Sequence, residues 1–331
     1  MGQGVVIVFV LLPALGLLLL VATIEGLVWT ATRRDYDWKA FGVSMADLAG
    51  TILKRIFVPI GIASPLFHLA YDHRLVTMDL QAPWQFLVLF LGQEFCYYWF
   101  HRASHRVRWF WATHAVHHSP EQLTFAAAFR LGLTARLTGS TLFYVPLAYV
   151  GFSPKVVLFS VTVNLLYQFW IHSERIPKLG RFELVFNTPS HHRVHHARNV
   201  DYLDANYGGV LIVFDRMFGT FASEKPELRC EFGLVHPVKS HNPVVVEMHG
   251  WISLWRDLKR ARSVREVLGY LFAPPGWSAD GRGSTTRELR ERHSLEASGS
   301  SVTLEGFALP VAHHSRECGV IAPVVTGYSR Q

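Results

Sequence analysis

The histidines of this chain are spaced like metal ligands. The chain has 18 histidines, and ten of them lie between positions 101 and 196. They form the blocks His101-x-x-x-His105, His114-x-x-His117-His118, the single His172, and His191-His192-x-x-His195-His196. Neutral imidazole is the commonest protein ligand for transition metals. Residues i, i+3 and i+4 share one helix face, so each block is predicted to aim two or three rings at one point.

The number of imidazoles indicates more than one metal ion. A single His-x-x-x-His pair is weak evidence, but two His-x-x-His-His blocks with such a pair are a specific pattern. Catalytic zinc usually takes three protein ligands, so nine or ten rings exceed what a zinc hydrolase needs. Two iron ions that use O₂ to attack a C–H bond fit the count better. An imidazole-rich shell holds iron less tightly than carboxylates do, so we expect zinc to replace iron in some purified samples.

Polar and apolar residues near the blocks are candidates for supporting roles. Groups that can orient the rings are Glu94, Glu174, Asp201, Asp204, Asn206 and Asp215. For each of these singly, a surface or capping role is an equal alternative. Candidate walls for a lipid tail are Phe125, Phe129, Leu165, Phe169 and Trp170, for most of which plain core packing is the alternative.

The composition favours a membrane protein. Of the 331 residues, 50% are hydrophobic and only 17% are charged, below the quarter usual in soluble proteins. The alternative is a soluble enzyme with a large core. The formal charge of +7 comes with no nucleic-acid-binding motif, and the positive-inside rule explains the basic residues beside apolar segments. The three cysteines are scattered and predict no disulfide framework.

Apolar segments predict several membrane spans that would position the histidines. The candidates run from Val5 to Val28, Ile52 to Tyr71, Trp84 to Phe100, Leu131 to Gly151 and Val156 to Trp170. The first lacks a basic leading segment and a cleavage site, which argues against a signal peptide. Placing the basic loops in the cytoplasm puts every histidine block on the cytoplasmic side. The predicted fold is an all-α integral membrane protein with a helical stem and a cytosolic, histidine-rich di-metal cap.

Three segments resemble the histidine boxes of one family. They are Tyr97-Tyr-Trp-Phe-His101-Arg-Ala-Ser-His105, Trp111-Ala-Thr-His114-Ala-Val-His117-His118-Ser, and Asn187-Thr-Pro-Ser-His-His192-Arg-Val-His195-His196. They resemble the fatty acid hydroxylase/sterol desaturase superfamily of membrane di-iron enzymes, over Phe86 to Asn242. Within it, the alkylglycerol monooxygenase-like members are similar through Tyr167–Glu174, His195–Asn199, Asn206–Phe221 and Leu234–Pro237.

The resemblance implies a set of metal ligands. They are His101, His105, His114, His117, His118, His172, His192, His195 and His196. The family often has a further ligand four residues before the position of His172, where this chain has Gln168. Two alternatives follow. Either the second metal is held by fewer nitrogens, or His191 contributes, because its i, i+4 spacing places it on the helix face of His195.

The resemblance also implies a domain order and an activity. Residues 1–80 are predicted to hold the N-terminal transmembrane helices and 81–260 the hydroxylase-like catalytic domain. Residues 261–331 are predicted to hold an interfacial helix, Arg262 to Phe272, and a disordered tail. The implied reaction is O₂-dependent hydroxylation of a fatty acyl, alkylglycerol ether or sterol C–H bond.

Several functional alternatives remain open from the sequence. One is a sterol or fatty acyl desaturase with the same two iron ions. Another is a non-catalytic metal carrier, although carriers place their ligands within the spans rather than at their ends. Electrons would come from an external donor, either a tetrahydropterin or a reductase system. Residue usage rich in Ala, Arg and Val favours a bacterial inner membrane, with the endoplasmic reticulum as the alternative.

Overall fold

Helices form the whole regular structure of the part of the chain that the computed structural model describes, residues 12–57 and 63–297. The helices are α1 Leu12–Arg33, α2 Trp38–Phe57, α3 Ser64–Asp72, α4 Pro83–Arg106, α5 Arg108–His117, α6 Val145–Val150, α7 Pro154–Ile171, α8 Pro189–His196, α9 Val213–Met217, α10 Pro243–Leu258, α11 Val264–Phe272 and α12 Thr286–Ala297. Short 3-10 helices cover Phe125–Phe129, Ala135–Leu137, Ser140–Tyr144 and Gly180–Leu184. Extended pairing within these ranges is limited to two isolated bridges. The predicted all-α class is confirmed.

Two of the described helices, α1 and α7, are long and apolar enough to cross a membrane. Helix α1 coincides with most of the first predicted span, whose start lies outside the described residues. Helix α7 coincides with the fifth predicted span. The guanidinium of Arg175, just beyond α7, lies 3.4 Å from the hydroxyl of Thr32 near the end of α1. The carboxyl ends of these two apolar helices therefore meet.

The other predicted spans differ from the structure to different degrees. The second falls on α2 and α3, and its middle, residues 58–62, lies outside the described part. The third is helical and extends six residues past its predicted end at Phe100, so His101 and His105 belong to α4 itself. The fourth, from Leu131 to Gly151, is wrong as one helix. Gly139 adopts a left-handed φ of 83°, and the segment divides into short 3-10 and α-helical pieces.

The C-terminal region is more ordered than the sequence predicts. The segment predicted as an interfacial helix is helical, as α11; its place at a membrane surface stays a prediction. Disorder beyond Trp277 is wrong up to residue 297, because α12 follows; residues 298–331 lie outside the described part. Trp277 packs on Tyr270 with ring centroids 5.1 Å apart, and the Arg290 guanidinium donates to the Leu203 carbonyl at 2.6 Å. The Ser/Gly/Arg-rich composition indicated a tail, but these few aromatic and arginine contacts hold it in place.

Close packing brings α5 and α10 together beside the histidines. A Cβ on Gly250 of α10 would lie 2.4 Å from the backbone oxygen of Ala112 in α5, so only glycine fits there. Helix α8 is only eight residues long, yet all its residues are buried, including four histidines and Arg193. Burying so polar a helix requires partners for its side chains, and these partners define the candidate site.

Candidate metal centre

Nine of the predicted histidines lie in two buried groups. The five-histidine group consists of His101, His105, His114, His118 and His195. The four-histidine group consists of His117, His172, His192 and His196. Within each group, one ring nitrogen per residue lies within 4.8 Å of the others. Eight of these side chains are buried and His114 is half-buried, so each group is shielded from water while its nitrogens converge.

The two groups share helices, which the sequence analysis did not foresee. Each block was predicted to aim two or three rings at one point, and the α5 and α8 blocks each aim two rings at one group and a third ring at the other. In the α5 block, His114 and His118 join the five-histidine group, whereas His117 joins the other. Neighbouring helix positions point about 100° apart, so adjacent histidines diverge whereas i, i+4 pairs stay together. The groups therefore adjoin, and the rings of His118 and His196 stack at 4.3 Å across them.

Backbone carbonyls fix the orientation of four rings. The Nδ1 atom of each ring lies at hydrogen-bonding distance from a carbonyl oxygen: His101 to Tyr207 at 2.9 Å, His117 to Arg130 at 3.0 Å, His172 to Gln168 at 2.7 Å, and His195 to Ala205 at 2.9 Å. A carbonyl can only accept, so Nδ1 donates and a neutral ring carries its lone pair on Nε2. The four Nε2 atoms are thereby prepared to bind a cation.

The Nε2 atoms are spaced like ligands of a common ion. In the four-histidine group, the Nε2 of His172 lies 3.4 Å from that of His117 and 3.0 Å from that of His192. In the five-histidine group, the His114 Nε2 lies 3.1 Å from that of His101 and 3.2 Å from that of His118. Two nitrogens held about 2.0–2.1 Å from one metal are about 2.9–3.4 Å apart at octahedral to tetrahedral angles.

A cation also resolves two otherwise unfavourable features of the groups. His117 and His172 both donate from Nδ1, so two lone pairs face each other at 3.4 Å. The Nε2 atoms of His105 and His195 are buried without a hydrogen-bond partner among the described residues. Buried polar atoms of this kind are rare unless an ion or water satisfies them. The residues present therefore fit one metal ion in each group.

Burial keeps these rings in the form that binds metals. Desolvation lowers the pKa of His117 to about 4. It also lowers the pKa values of His118, His192 and His196 well below the usual range, and neighbouring histidines add to the effect. The rings are therefore neutral at pH 7, with a lone pair available.

Two of the carboxylates predicted to orient rings lie next to the histidine groups. Asp204 faces a histidine ring, and Asp215 holds the backbone that orients another ring. Asp204 lies 3.7 Å from Nδ1 of His105 and accepts from Arg106 at 2.9 Å. Asp215 acts through the backbone, because it accepts from the N–H groups of Tyr207 and Gly208 at 2.7 Å each. It thereby fixes the peptide whose carbonyl holds the ring of His101.

Other residues predicted to orient rings bind backbone groups or other side chains around the histidine groups, and in the described part of the chain they do not contact the rings themselves. Glu94 accepts from the N–H groups of Val210 and Leu211 at 2.8 Å each. The Asn206 amide donates to the carbonyl of His191 at 3.0 Å. Glu174 accepts from the N–H of Leu123 at 2.8 Å, and Asp201 pairs with Lys225 at 3.8 Å. None of these four carboxylate or amide side chains contacts a histidine ring in the described hydrogen bonds.

The two candidates for a tenth ligand lie outside both groups. The ring of His191 faces Phe221 at 5.4 Å. The side chain of Gln168 accepts from the Tyr97 hydroxyl at 2.8 Å and donates to Asn164. Gln168 instead supports His172 through its backbone carbonyl.

Arg130 is a supporting residue that the sequence analysis missed. Its side chain is only 3% exposed, and it donates to the Ser119 hydroxyl at 2.8 Å and to the Ala40 carbonyl at 2.7 Å. Its own carbonyl holds His117. The only signal in the sequence is a single arginine within an apolar segment. The carbonyls of Ala205 and Tyr207 give no signal, since any residue supplies the same group.

A cavity of about 850 Å³ leads to both histidine groups. His105, His118, His195 and His196 form its inner wall. Its lining also includes the aromatic and aliphatic side chains of Trp111, Leu234, Tyr270, Trp277 and Leu289, beside charged ones such as Arg260 and Asp257. None of the five residues predicted to line a lipid route borders this cavity; Phe125 and Phe129 instead pack on Phe169 at 5.1 and 5.5 Å, beside Ala22 of α1.

Comparison with known proteins confirms the resemblance found in the sequence. The fatty acid hydroxylase family matches residues 86–220, which contain the nine histidines of both groups. Alkylglycerol monooxygenase from Homo sapiens is 42% identical over 206 residues, covering 62% of this chain and 45% of that protein. The same enzyme from Danio rerio is 43% identical over 203 residues, covering 61% of this chain and 45% of that protein.

A bacterial relative has a different named activity. Ornithine lipid hydroxylase OlsE from Rhizobium tropici is 26% identical over 211 residues, covering 60% of this chain and 64% of that protein. The chain spans less than half the length of the alkylglycerol monooxygenases from Homo sapiens and Danio rerio. No solved structure matches the chain.

Proposed function

We propose that the protein is a membrane-bound monooxygenase of the fatty acid hydroxylase family, whose model matches residues 86–220, and that it uses O₂ and two iron ions to hydroxylate a lipid. The observation that carries the proposal is the pair of adjoining histidine groups with ligand-spaced Nε2 atoms. The named activities of the relatives, monooxygenase and lipid hydroxylase, support the reaction class.

Iron bound by the nine histidines would supply the redox chemistry that no side chain provides. The chain's own groups have three other tasks. Carbonyls such as those of Arg130 and Gln168 hold the rings in the ligating orientation. Burial keeps the rings neutral. Aromatic side chains of the cavity, including Trp111 and Trp277, would contact the apolar part of the substrate and hold its C–H bond near the histidines.

The substrate proposed is a lipid with an alkyl ether, following the named activity of the relatives at 42% and 43% identity. In the overall reaction one oxygen atom of O₂ enters the C–H bond and the other leaves as water. An external donor, a tetrahydropterin or a reductase, supplies two electrons, and two protons are taken up. Oxygen insertion beside an ether oxygen gives a hemiacetal, which separates into an aldehyde and an alcohol.

The proposed location is a membrane crossed by α1 and α7, with the histidines at the cytoplasmic face. His172 directly follows α7, and the ends of α1 and α7 meet there. Arg33 is the last residue of α1 and Arg34 follows it at the same end, as the positive-inside rule expects of a cytoplasmic side. A multi-pass arrangement in a bacterial inner membrane is part of this proposal.

Growth under ¹⁸O₂ of cells with and without the chain tests the reaction. We expect a lipid or aldehyde product that carries one heavy oxygen, found by mass spectrometry of extracted lipids. An unlabelled product lighter by two hydrogens would identify a desaturase instead. An unchanged lipid profile from cells whose purified protein contains two iron ions and receives a reductant would contradict the proposal.

A further inference from the structure

A second hollow, away from the metal-binding cavity, is strongly basic. Its volume is about 740 Å³. Six basic side chains line it against two acidic ones. The basic residues are Arg33, Arg175, Lys178, Arg193, Lys225 and Arg229. The hollow therefore has a formal excess of four positive charges, which the reaction at the histidines does not use.

Both carboxylates in the hollow are already engaged. Arg193 binds Glu224 through two parallel hydrogen bonds of 2.8 and 2.7 Å. Glu174 accepts from the N–H of Leu123 at 2.8 Å. In the described structure, no salt bridge involves Arg33, Arg175 or Arg229. These three guanidinium groups are the ones available to an anion.

The hollow lies where the two apolar helices end. Arg33 is the last residue of α1, and Arg175 follows the end of α7 by four residues. Both guanidinium groups lie over the ring of Trp29, Arg175 at 4.6 Å and Arg33 at 5.7 Å from its centroid. Tryptophan and arginine are typical of the boundary between a membrane and water. The hollow is thus placed at the level of lipid headgroups if α1 and α7 cross a membrane.

We propose that this basic hollow binds the phosphate headgroup of an anionic membrane lipid. The inference rests on the proposed membrane placement of α1 and α7 and is independent of the reaction at the histidines. Guanidinium groups match phosphate in geometry, and basic pockets between membrane helices attract anionic headgroups. The concave shape suits a headgroup better than the flat surface of an acidic protein. An adjoining hollow of about 360 Å³ shares Arg33, Glu174 and Arg229 with this one. Its remaining charged residues are Arg198 and three carboxylates, Asp35, Glu121 and Glu231, so the excess of positive charge is confined to the larger hollow.

The triple variant R33Q/R175Q/R229Q tests the assignment. The full chain in neutral detergent is mixed with phosphatidylglycerol or phosphatidylcholine, and lipid retention is measured by native mass spectrometry. We expect the unmodified protein to prefer phosphatidylglycerol. Each basic residue near a membrane contributes about 1 kcal/mol, or about five-fold, so the variant should bind phosphatidylglycerol roughly 100-fold more weakly.

A matched control removes three other positive charges. R256Q/K259Q/R265Q changes exposed residues outside the hollow and should retain phosphatidylglycerol as the unmodified protein does. Equal retention in both triple variants, or no preference for phosphatidylglycerol over phosphatidylcholine, would overturn the proposal. So would displacement of the lipid by an equal concentration of inorganic phosphate, because the hollow would then hold a soluble anion. Lipid retention needs neither iron nor O₂, so this test and the test of the hydroxylase fail separately.

Discussion

Replacing Asp215 by asparagine tests whether the peptide behind His101 must be held by a carboxylate. Asp215 is fully buried, and its two oxygens accept from two backbone N–H groups and the Thr220 hydroxyl, all at 2.7 Å. Burial raises its pKa to about 6, and these hydrogen bonds oppose that rise, so the group is a carboxylate at pH 7. The variant D215N places an NH₂ group against one of the N–H groups.

The expected cost follows from those contacts. One charge-assisted hydrogen bond is lost and one buried donor is left without an acceptor, which together cost about 3–5 kcal/mol. A loss of that size lowers Tm by about 4–7 °C in a chain of this length. Because the carbonyl of Tyr207 holds the ring of His101, the affinity for iron should also fall by about 10- to 100-fold.

The matched control is D201N. Asp201 is exposed, and its ion pair among the described residues is with Lys225 at 3.8 Å. The Tm and the iron affinity of the D201N protein should therefore equal those of the unmodified protein. Thermal unfolding in detergent and iron content after dialysis against a graded chelator measure both effects. Iron retention by D215N equal to that of the unmodified protein would refute the role assigned to Asp215. Equal losses in D215N and D201N would show a general effect of removing an acidic residue.

Three further substitutions, two of them with a matched control variant, have specific expectations. H117A should lose activity and at least one bound iron ion while membrane insertion is unchanged, whereas H191A should keep its metal content; full activity in H117A would contradict the ligand assignment. G250A should destabilise the fold by about 1–3 kcal/mol because its Cβ meets the backbone of α5, whereas G42A, with open space around it, should be neutral or stabilising by up to about 1 kcal/mol in thermal unfolding. W277A should raise the lipid KM about ten-fold through loss of an aromatic contact of about 1–2 kcal/mol, with unchanged iron content; an unchanged KM would show that the cavity does not hold the lipid.

The histidines that form the two groups could be predicted from the sequence because metal chemistry restricts the choice of residue and its spacing. All nine histidines named from the resemblance lie in the two groups. Their division between the groups could not be predicted, because it depends on which way α5 and α8 are rotated against α4 and α7. Tertiary packing sets that rotation.

Supporting groups were harder to predict, for two physical reasons. Carbonyls such as that of Tyr207 orient rings without any side-chain signature. Arg130 joins elements that are distant in sequence, and its role is visible only once Ala40 and Ser119 lie beside it. The segment from Leu131 to Gly151 was wrongly predicted to be one membrane-spanning helix. Its hydropathy suits a span, but the chain bends at Gly139. The hydropathy of a segment indicates whether it can be buried in lipid or in a protein core. Its backbone dihedral angles determine whether it forms one continuous helix.

The sharing of α5 and α8 between the two histidine groups makes their occupancies interdependent. An ion in the four-histidine group would fix the rotation of both helices through His117 and His192, and this would also set the positions of His118 and His195 for the second ion. The second ion would then bind to ligands that the first ion has already ordered. Its affinity would therefore be higher than that of the first ion, which is positive cooperativity. We therefore expect metal titration to populate the empty and doubly loaded protein, with little of the singly loaded form. Partial loss of iron during purification would then divide a sample into active and inactive molecules and would not slow every molecule equally.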